Sequence, residues 1–391
     1  MLHIQDPFER RLVAAADAAL RIASSFRRPR TPGAIRRVLL LRLERIGDLV
    51  MALPAMRDVR ALAPDAQIDL VVGSWNATLA RTIPGVDRVE TLDAAWLARE
   101  GQGLDTRRLL REARAWRSRQ YDLAINFEPD IRSNLILAAA GAARTAGWRS
   151  GGGGPLLDLA LDYDTAAHTA TNARRLVAET FGRTPPESAR PLLAVPDDAA
   201  ASAAARLKSA GAGPLVGVHV SGGRAIKQWE PARFAEVARR LVDSHGVTIV
   251  ATGAPGDRGL VDDLRQALAP RPIVDASSAG DLVDAAATLA RLDLLVTGDT
   301  GPMHLASAVG TPVVAIFGPS DPARYATTGP MDRVVRIDLP CSPCNRIRRP
   351  PTRCTGHTPD CLAGIAADQV YEAAAAVLEA SRARTARAGR S

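Results

Sequence analysis

The stretch Leu294–Asp321, LLVTGDTGPMHLASAVGTPVVAIFGPSD, restricts the fold more than any other part of the chain. An apolar run, Leu294–Thr297, breaks at Gly298-Asp299-Thr300-Gly301-Pro302. A short helical pattern follows with Met303, Leu305, Ala306 and Val309 and stops at Gly310; a second apolar run, Pro312–Phe317, ends in another Gly-Pro turn. Strand, tight turn, helix, strand is the βαβ unit of a parallel sheet. Asp299 or Thr300 can cap the helix, and Pro302 suits its first turn. The N–H groups of that turn then face the carboxyl edge of the sheet, where α/β proteins bind phosphate-bearing ligands. His304 lies in the same turn. A buried, well-capped helix with a core histidine is the plainer reading, but Asp, Thr, Gly, Pro and His gathered at one helix mouth favour a ligand site.

The same strand-turn-helix scheme recurs upstream. Arg37–Leu43 reads as a strand buried on both faces; Gly47-Asp48 follows, then an arginine-striped helix to about Leu62. There is no GxGxxG, so dinucleotide binding is not indicated. Instead the turn sets the Asp48 carboxylate above the sheet edge, as a reactive group or as a helix cap. Ile68–Val72, Arg88–Leu92 and Asp122–Phe127 are strand-like, with helices near Leu104–Arg117, Ile131–Ala140 and His168–Phe181. Gly151–Gly154 reads as a mobile loop, and proline-rich Thr184–Pro196 as an interdomain linker. Beyond it, Leu215–Val220 leads into the glycine-bearing loop Ser221–Trp229, and Pro231 begins a helix with Phe234, Val237, Ala238 and Leu241. Val247–Thr252, Ile273–Asp275, Leu292–Val296 and Val313–Phe317 supply the remaining strands of a second Rossmann-like sheet.

The fold class is therefore α/β. An N-terminal extension and linker (1–34) precedes a first Rossmann-like domain (35–190), a second one (191–365), and a closing helix with a basic tail (366–391) whose end from Ser381 reads as disordered. At 391 residues and 47% hydrophobic, the chain can bury two cores. No apolar run approaches a membrane span and the first thirty residues lack a secretory signal, so a cytoplasmic location is expected.

The net charge of +8 is almost all arginine, with Lys208 and Lys227 the only lysines. It favours an anionic partner (phosphorylated glycolipid, membrane surface or nucleotide), while the lack of an aromatic-rich basic platform argues against nucleic acid. Lys227 beside a phosphate-sized glycine loop marks a place that wants a compact ammonium. Near the N-terminus, Leu12, Val13, Ala16, Ala19, Leu20 and Ala23 share a helical face, and Arg27-Arg28-Pro29-Arg30 follows. Such a helix either lies on an anionic membrane surface or packs on the body of the protein.

All four cysteines, Cys341, Cys344, Cys354 and Cys361, fall within one short segment. In a cytoplasmic protein this suggests a structural zinc or iron held by four thiolates, with His357 as a spare ligand; reduced loop cysteines are the alternative.

DTGPMHLASAVGTPVVAIFGPSDP resembles the C-terminal signature of glycosyltransferase family 9, the bacterial heptosyltransferases of lipopolysaccharide assembly. Arg42-x-x-x-Ile46-Gly47-Asp48-x-Val50-x-Ala52-Leu53-Pro54 is similar to its N-terminal signature, and the similarity covers roughly Arg37 to Ala380. The resemblance implies a GT-B architecture, two Rossmann-like domains facing each other across a cleft. It makes Asp48 the general base and places the donor diphosphate on Lys227, Asp299, Thr300, Gly301, Met303 and His304. Asp257 stands where the family often has a longer glutamate that reaches the nucleoside, and Glu230 interrupts the family's Lys-x-Trp-Pro segment. Arg45 and Arg132 are the acceptor-side candidates. The implied reaction is single displacement with inversion, needing no cofactor, from a nucleotide-sugar such as ADP-heptose to an anionic envelope glycolipid at the inner face of the inner membrane. A GT-B epimerase and a non-catalytic sugar-nucleotide-binding protein are the rivals; donor isomerisation and the effect of Asp48→Ala separate them.

Overall fold

A computed structural model describes residues 2, 6–24, 33–97, 103–186, 191–277 and 280–388. The Arg27–Arg30 cluster, Thr31-Pro32 of the first linker, residues 187–190 of the second and the last three residues lie outside them. The chain divides into two compact units, Met1–Ala189 and Arg190–Ser391.

The first unit opens with helix α1, Pro7–Ser24. Its sheet contains β1 (Arg37–Arg42), β2 (Gln67–Val72), β3 (Arg88–Thr91), β4 (Leu123–Asn126), β5 (Arg144–Trp148) and β6 (Leu159–Leu161). All pairings are parallel and the spatial order is β3-β2-β1-β4-β5-β6. In β1, Val38 to Leu41 are fully buried, because parallel strands with helices on both faces have no wet side. Each such leucine contributes about 1.5–3 kcal/mol relative to exposure. Helix α2, Ile46–Leu62, follows β1 directly.

The second unit repeats the plan with β7 (Leu215–His219), β8 (Thr248–Thr252), β9 (Ile273–Asp275), β10 (Leu294–Gly298), β11 (Val313–Ile316) and β12 (Arg333–Val335), ordered β12-β11-β10-β7-β8-β9 and parallel throughout. Renumbered within the unit, this is the same order as the first sheet. Each unit thus has one switch point, between β1 and β4 and between β7 and β10, where crossover helices diverge to opposite faces and leave a crevice beyond the strand ends.

Several expectations need correcting. Strands β5, β6 and β12 were not foreseen: Arg144-Thr145-Ala146-Gly147-Trp148 lacks an apolar run, and the other two span three residues each. The Gly151–Gly154 loop is pinned rather than mobile. Gly152 and Gly151 carbonyls accept from Asn134 Nδ2 (2.8 Å) and from the Ile131 N–H (3.1 Å). A Cβ at Gly151 would stand 1.8 Å from the Pro129 carbonyl oxygen, so glycine is there for close approach. Part of the presumed linker belongs to the second unit, where the Leu192 and Leu193 N–H groups both donate to the Ala308 carbonyl. The closing helix, Ala367–Ala388, continues past Ser381 instead of ending in disorder.

Candidate active site

In the first unit the switch point gathers charge. Asp48 occupies the first turn of α2; its Oδ2 accepts the Arg45 N–H at 3.3 Å and its Oδ1 lies 3.5 Å from Arg42 Nη2. The capping reading is therefore correct for one oxygen, through a long bond. The side chain keeps 30% of its exposure, so the carboxylate is held in place yet open to an incoming hydroxyl.

Behind it sit Arg42, quoted above only as the start of the N-terminal signature, and Glu128, which the sequence reading passed over. Arg42, 3% exposed at the end of β1, donates from Nη1 to the Phe127 carbonyl at 2.9 Å and pairs with Glu44 at 2.9 Å. Burial disfavours its charge, but Glu44, Asp48 and Glu128 outweigh that and raise its pKa. Glu128, just beyond β4, is buried and accepts the N–H groups of Leu43 and Glu44. Burial pushes its carboxyl up to about 7; Arg42 and the Leu43 amide resist, while Asp130 and Asp48 add to the rise. The available signal was an acidic residue following a buried strand, Leu123–Phe127, at the predicted sheet edge.

The acceptor candidates are both anchored. Arg45 donates from Nη2 to the Leu97 carbonyl at 2.9 Å, with its guanidinium 5.7 Å from the Trp75 ring centroid. Arg132 grips Asp130 with two bonds, 2.9 and 2.5 Å, and lies 4.5 Å over the Trp96 ring. The Asp130 bond is the main reason its pKa is raised; burial opposes, and the Glu9 carboxylate of α1 adds to the rise.

In the second unit, Lys227 and Asp299 meet across the switch point. Lys227 Nζ donates to Asp299 Oδ2 at 2.8 Å, with both side chains largely buried. Burial would raise the Asp299 pKa, but the Lys227 charge and hydrogen bond, the Ser320 hydroxyl and His304 together hold it below the usual carboxylate range. The lysine is presented by the loop after β7. A Cβ at Gly222 would come within 2.6 Å of the Gln228 nitrogen, and the Gly222 N–H donates to Gln228 Oε1 at 2.6 Å.

The helix Gly301–Ala308 starts at Thr300, the N-cap by backbone geometry, yet no side chain caps it. Thr300 Oγ1 instead lies 3.1 Å from Thr297 Oγ1, and Asp299 is committed to Lys227. This corrects the expected cap and, among the described residues, leaves the first-turn amides of Gly301 and Met303 without a side-chain acceptor, the arrangement that suits a phosphate. The Met303 side chain is fully buried, so only its main chain can serve a ligand; His304 is 7% exposed.

Asp257 caps its own turn, its Oδ2 accepting the Ala254 N–H at 2.8 Å. His219, unremarked in the sequence although it ends an apolar strand, lies beside it with Nδ1 3.2 Å from Thr252 Oγ1. Burial lowers its pKa, against the pull of Asp257, so the ring is neutral at pH 7.

The four thiols are free; Cys341 is exposed, Cys344 and Cys354 half-buried and Cys361 buried. Burial, and then Cys344, Cys341 and Cys354, push the Cys361 thiol up to about 11. Among the described residues, no three His, Cys, Asp or Glu side chains stand together as a group that could hold a metal ion. Hydrogen bonds order the segment. Cys344 and Asn345 N–H groups donate to the Pro319 carbonyl at 3.1 and 2.8 Å, and Ser342 Oγ to the Gly318 carbonyl at 2.7 Å.

Comparison with known proteins agrees with the fold. Residues 109–352 match the model of glycosyltransferase family 9 (heptosyltransferase). Lipopolysaccharide heptosyltransferase 1 of Pseudomonas aeruginosa is 26% identical over 327 residues, covering 79% of this chain and 86% of the relative. Lipopolysaccharide heptosyltransferase 2 of Escherichia coli is 26% identical over 314 residues, 77% of this chain and 88% of the relative. The solved structure of E. coli ADP-heptose lipopolysaccharide heptosyltransferase II superposes with a TM-score of 0.71 at 21% identity, covering 88% of this chain and 99% of that one.

Proposed function

The chain belongs to glycosyltransferase family 9, and on that footing we propose that it moves heptose from ADP-heptose onto an anionic glycolipid of the lipopolysaccharide-core kind, by single displacement with inversion. The observation that carries the proposal is the pairing of chemistries at two equivalent topological positions. One switch point holds an accessible carboxylate backed by a buried arginine; the other holds a lysine fixed by a carboxylate beside uncapped helix amides. Glycosyl transfer from a nucleotide donor needs a base for the acceptor hydroxyl and hydrogen-bond donors for the departing diphosphate.

In this scheme Asp48 takes the acceptor proton as the new bond forms. Arg42, 3.5 Å from its Oδ1, aims the carboxylate. Lys227, with one of its three N–H groups given to Asp299, offers the others to the diphosphate, and the amides of Gly301 and Met303 receive phosphate oxygens as the helix dipole favours. His304 adds a hydrogen bond. Arg45 and Arg132 face the anionic acceptor. No metal takes part in any step. Because such an acceptor is a membrane lipid, the enzyme works from the cytoplasm at the inner face of the inner membrane. Family membership supports transfer over donor epimerisation, the alternative reading.

Asp48→Asn tests the assignment with ADP-heptose and an acceptor extract. The expected result is a kcat lower by about a hundredfold to ten-thousandfold with ADP affinity preserved; parental turnover in the variant would remove Asp48 from the base role. Donor isomerisation followed by NMR without acceptor would instead identify an epimerase.

A further inference from the structure

Helix α1 docks by one face only. Val13 is buried against the Gly152 turn, where an added Cβ would come within 2.3 Å of Val13 Cγ1, and Asp17 Oδ1 accepts the Gly153 N–H at 2.6 Å. Ala16 and Leu20 share this half-buried side. The opposite side carries Phe8, Leu12, Ala15, Ala19 and Ile22, all exposed and at helical spacing. Phe8, Leu12 and Ile22 are 72%, 56% and 69% exposed, and they are three of the four large apolar side chains so exposed among the described residues. The sequence-based face is thus split: Leu12 and Ala19 belong to the outer stripe, Val13, Ala16 and Leu20 to the docked one.

Charge says what the stripe meets. Arg10, Arg11 and Arg21 are exposed along the same helix, and Arg27, Arg28 and Arg30 follow in the sequence. No helix among the described residues, α1 included, is long and apolar enough to cross a membrane. An apolar stripe flanked by Arg11, on a helix with further exposed arginines and a basic run after it, is the chemistry of a helix lying in the headgroup layer of an anionic bilayer. The helix also sits beside the acceptor-side residues, since its Glu9 carboxylate acts on the Arg132 guanidinium and its docking turn is held by Asn134.

We propose that α1 is an in-plane membrane helix that seats the first unit on an anionic lipid surface, inserting Phe8, Leu12 and Ile22, so that the enzyme takes its acceptor from the bilayer it rests on. The seat stands on the helix itself; its coupling to acceptor capture rests on the glycolipid reading above.

The test is flotation of the full chain with phosphatidylethanolamine vesicles, with or without phosphatidylglycerol, alongside the double variant Phe8→Glu/Leu12→Glu and Asp17→Ala. The parent is expected to float with the anionic vesicles and to be released by salt. The double variant should lose at least about tenfold in vesicle affinity, with circular dichroism and transfer to a deacylated, water-soluble acceptor unchanged, while transfer to vesicle-embedded acceptor falls. Asp17→Ala, which frees the helix from its dock but keeps the stripe, should still float and lose the advantage on embedded acceptor. A parent that does not float, a double variant that floats as well as the parent, or a parental dimer that the double substitution dissociates would overturn the proposal; the last would make the stripe a contact between copies. Normal flotation with no transfer to either acceptor form would sink the acceptor reading and leave the membrane seat standing.

Discussion

Glu128 makes a quantitative demand on the stability of the first unit. Its carboxyl titrates near 7 in the folded chain against 4.5 when exposed, because burial disfavours its charge more than Arg42 and the Leu43 amide favour it. Below pH 4.5 the group is protonated in both states and contributes no slope. Between 4.5 and 7 the unfolded chain has released the proton and the folded one retains it, so stability falls as pH rises. Above 7 the loss is complete. A difference of 7 − 4.5 at 1.36 kcal/mol per unit amounts to about 3 kcal/mol. Glu128→Gln removes the titration while keeping an oxygen for the Leu43 and Glu44 amides. The stability of the parent minus that of the variant should therefore decline by roughly 2 to 3 kcal/mol from pH 5 to pH 8, part of the full loss having occurred already at pH 5. Urea unfolding followed by tryptophan fluorescence is suited to the measurement, since Trp75, Trp96, Trp116 and Trp148 lie in the first unit and only Trp229 in the second. A difference flat to within about 0.5 kcal/mol across that range would refute the account of a strained buried carboxyl.

Other expectations follow from the same description. Lys227→Ala should weaken ADP binding by about tenfold to a hundredfold in calorimetry, the worth of a charge-assisted bond, and Lys227→Arg should restore little, because a planar fork cannot replace the compact ammonium on Asp299. Gly151→Ala should destabilise the first unit by about 3 kcal/mol or more in urea titration, since its Cβ meets the Pro129 carbonyl; Gly182→Ala, at φ +63° with open space around it, should cost only about 1 kcal/mol. EDTA should leave the transfer rate within about twofold, since the proposed mechanism meets diphosphate charge with Lys227 and helix amides; collapse on chelation with recovery on adding a divalent ion would contradict this.

The parts of the molecule that could be read from the sequence are those where local pattern and tertiary role agree. Strands β1 and β10 are apolar runs broken by glycine turns, so their crossover helices, and with them Asp48, Asp299 and Thr300, fell at the sheet edges where they were expected. Lys227 stood out by composition alone, in a chain that otherwise uses arginine. Partnerships across long separations were not legible. That Arg42 and Glu128 would share one buried pocket depends on β1 pairing with β4, and no local feature of either segment announces that register. The glycine run misled because flexibility and close packing demand the same residue; only the Pro129 carbonyl beside Gly151 decides between them.

Because both sheets follow one strand order, each half brings its chemistry to the same topological address, the gap between its own first and fourth strands. On the proposed assignment, loops beyond the first sheet are free to diverge toward new acceptors while those beyond the second stay tuned to one leaving group. Such a layout invites grafting: replacing the segments after β1 and β4 by those of a relative should redirect acceptor choice and leave nucleotide preference unaltered.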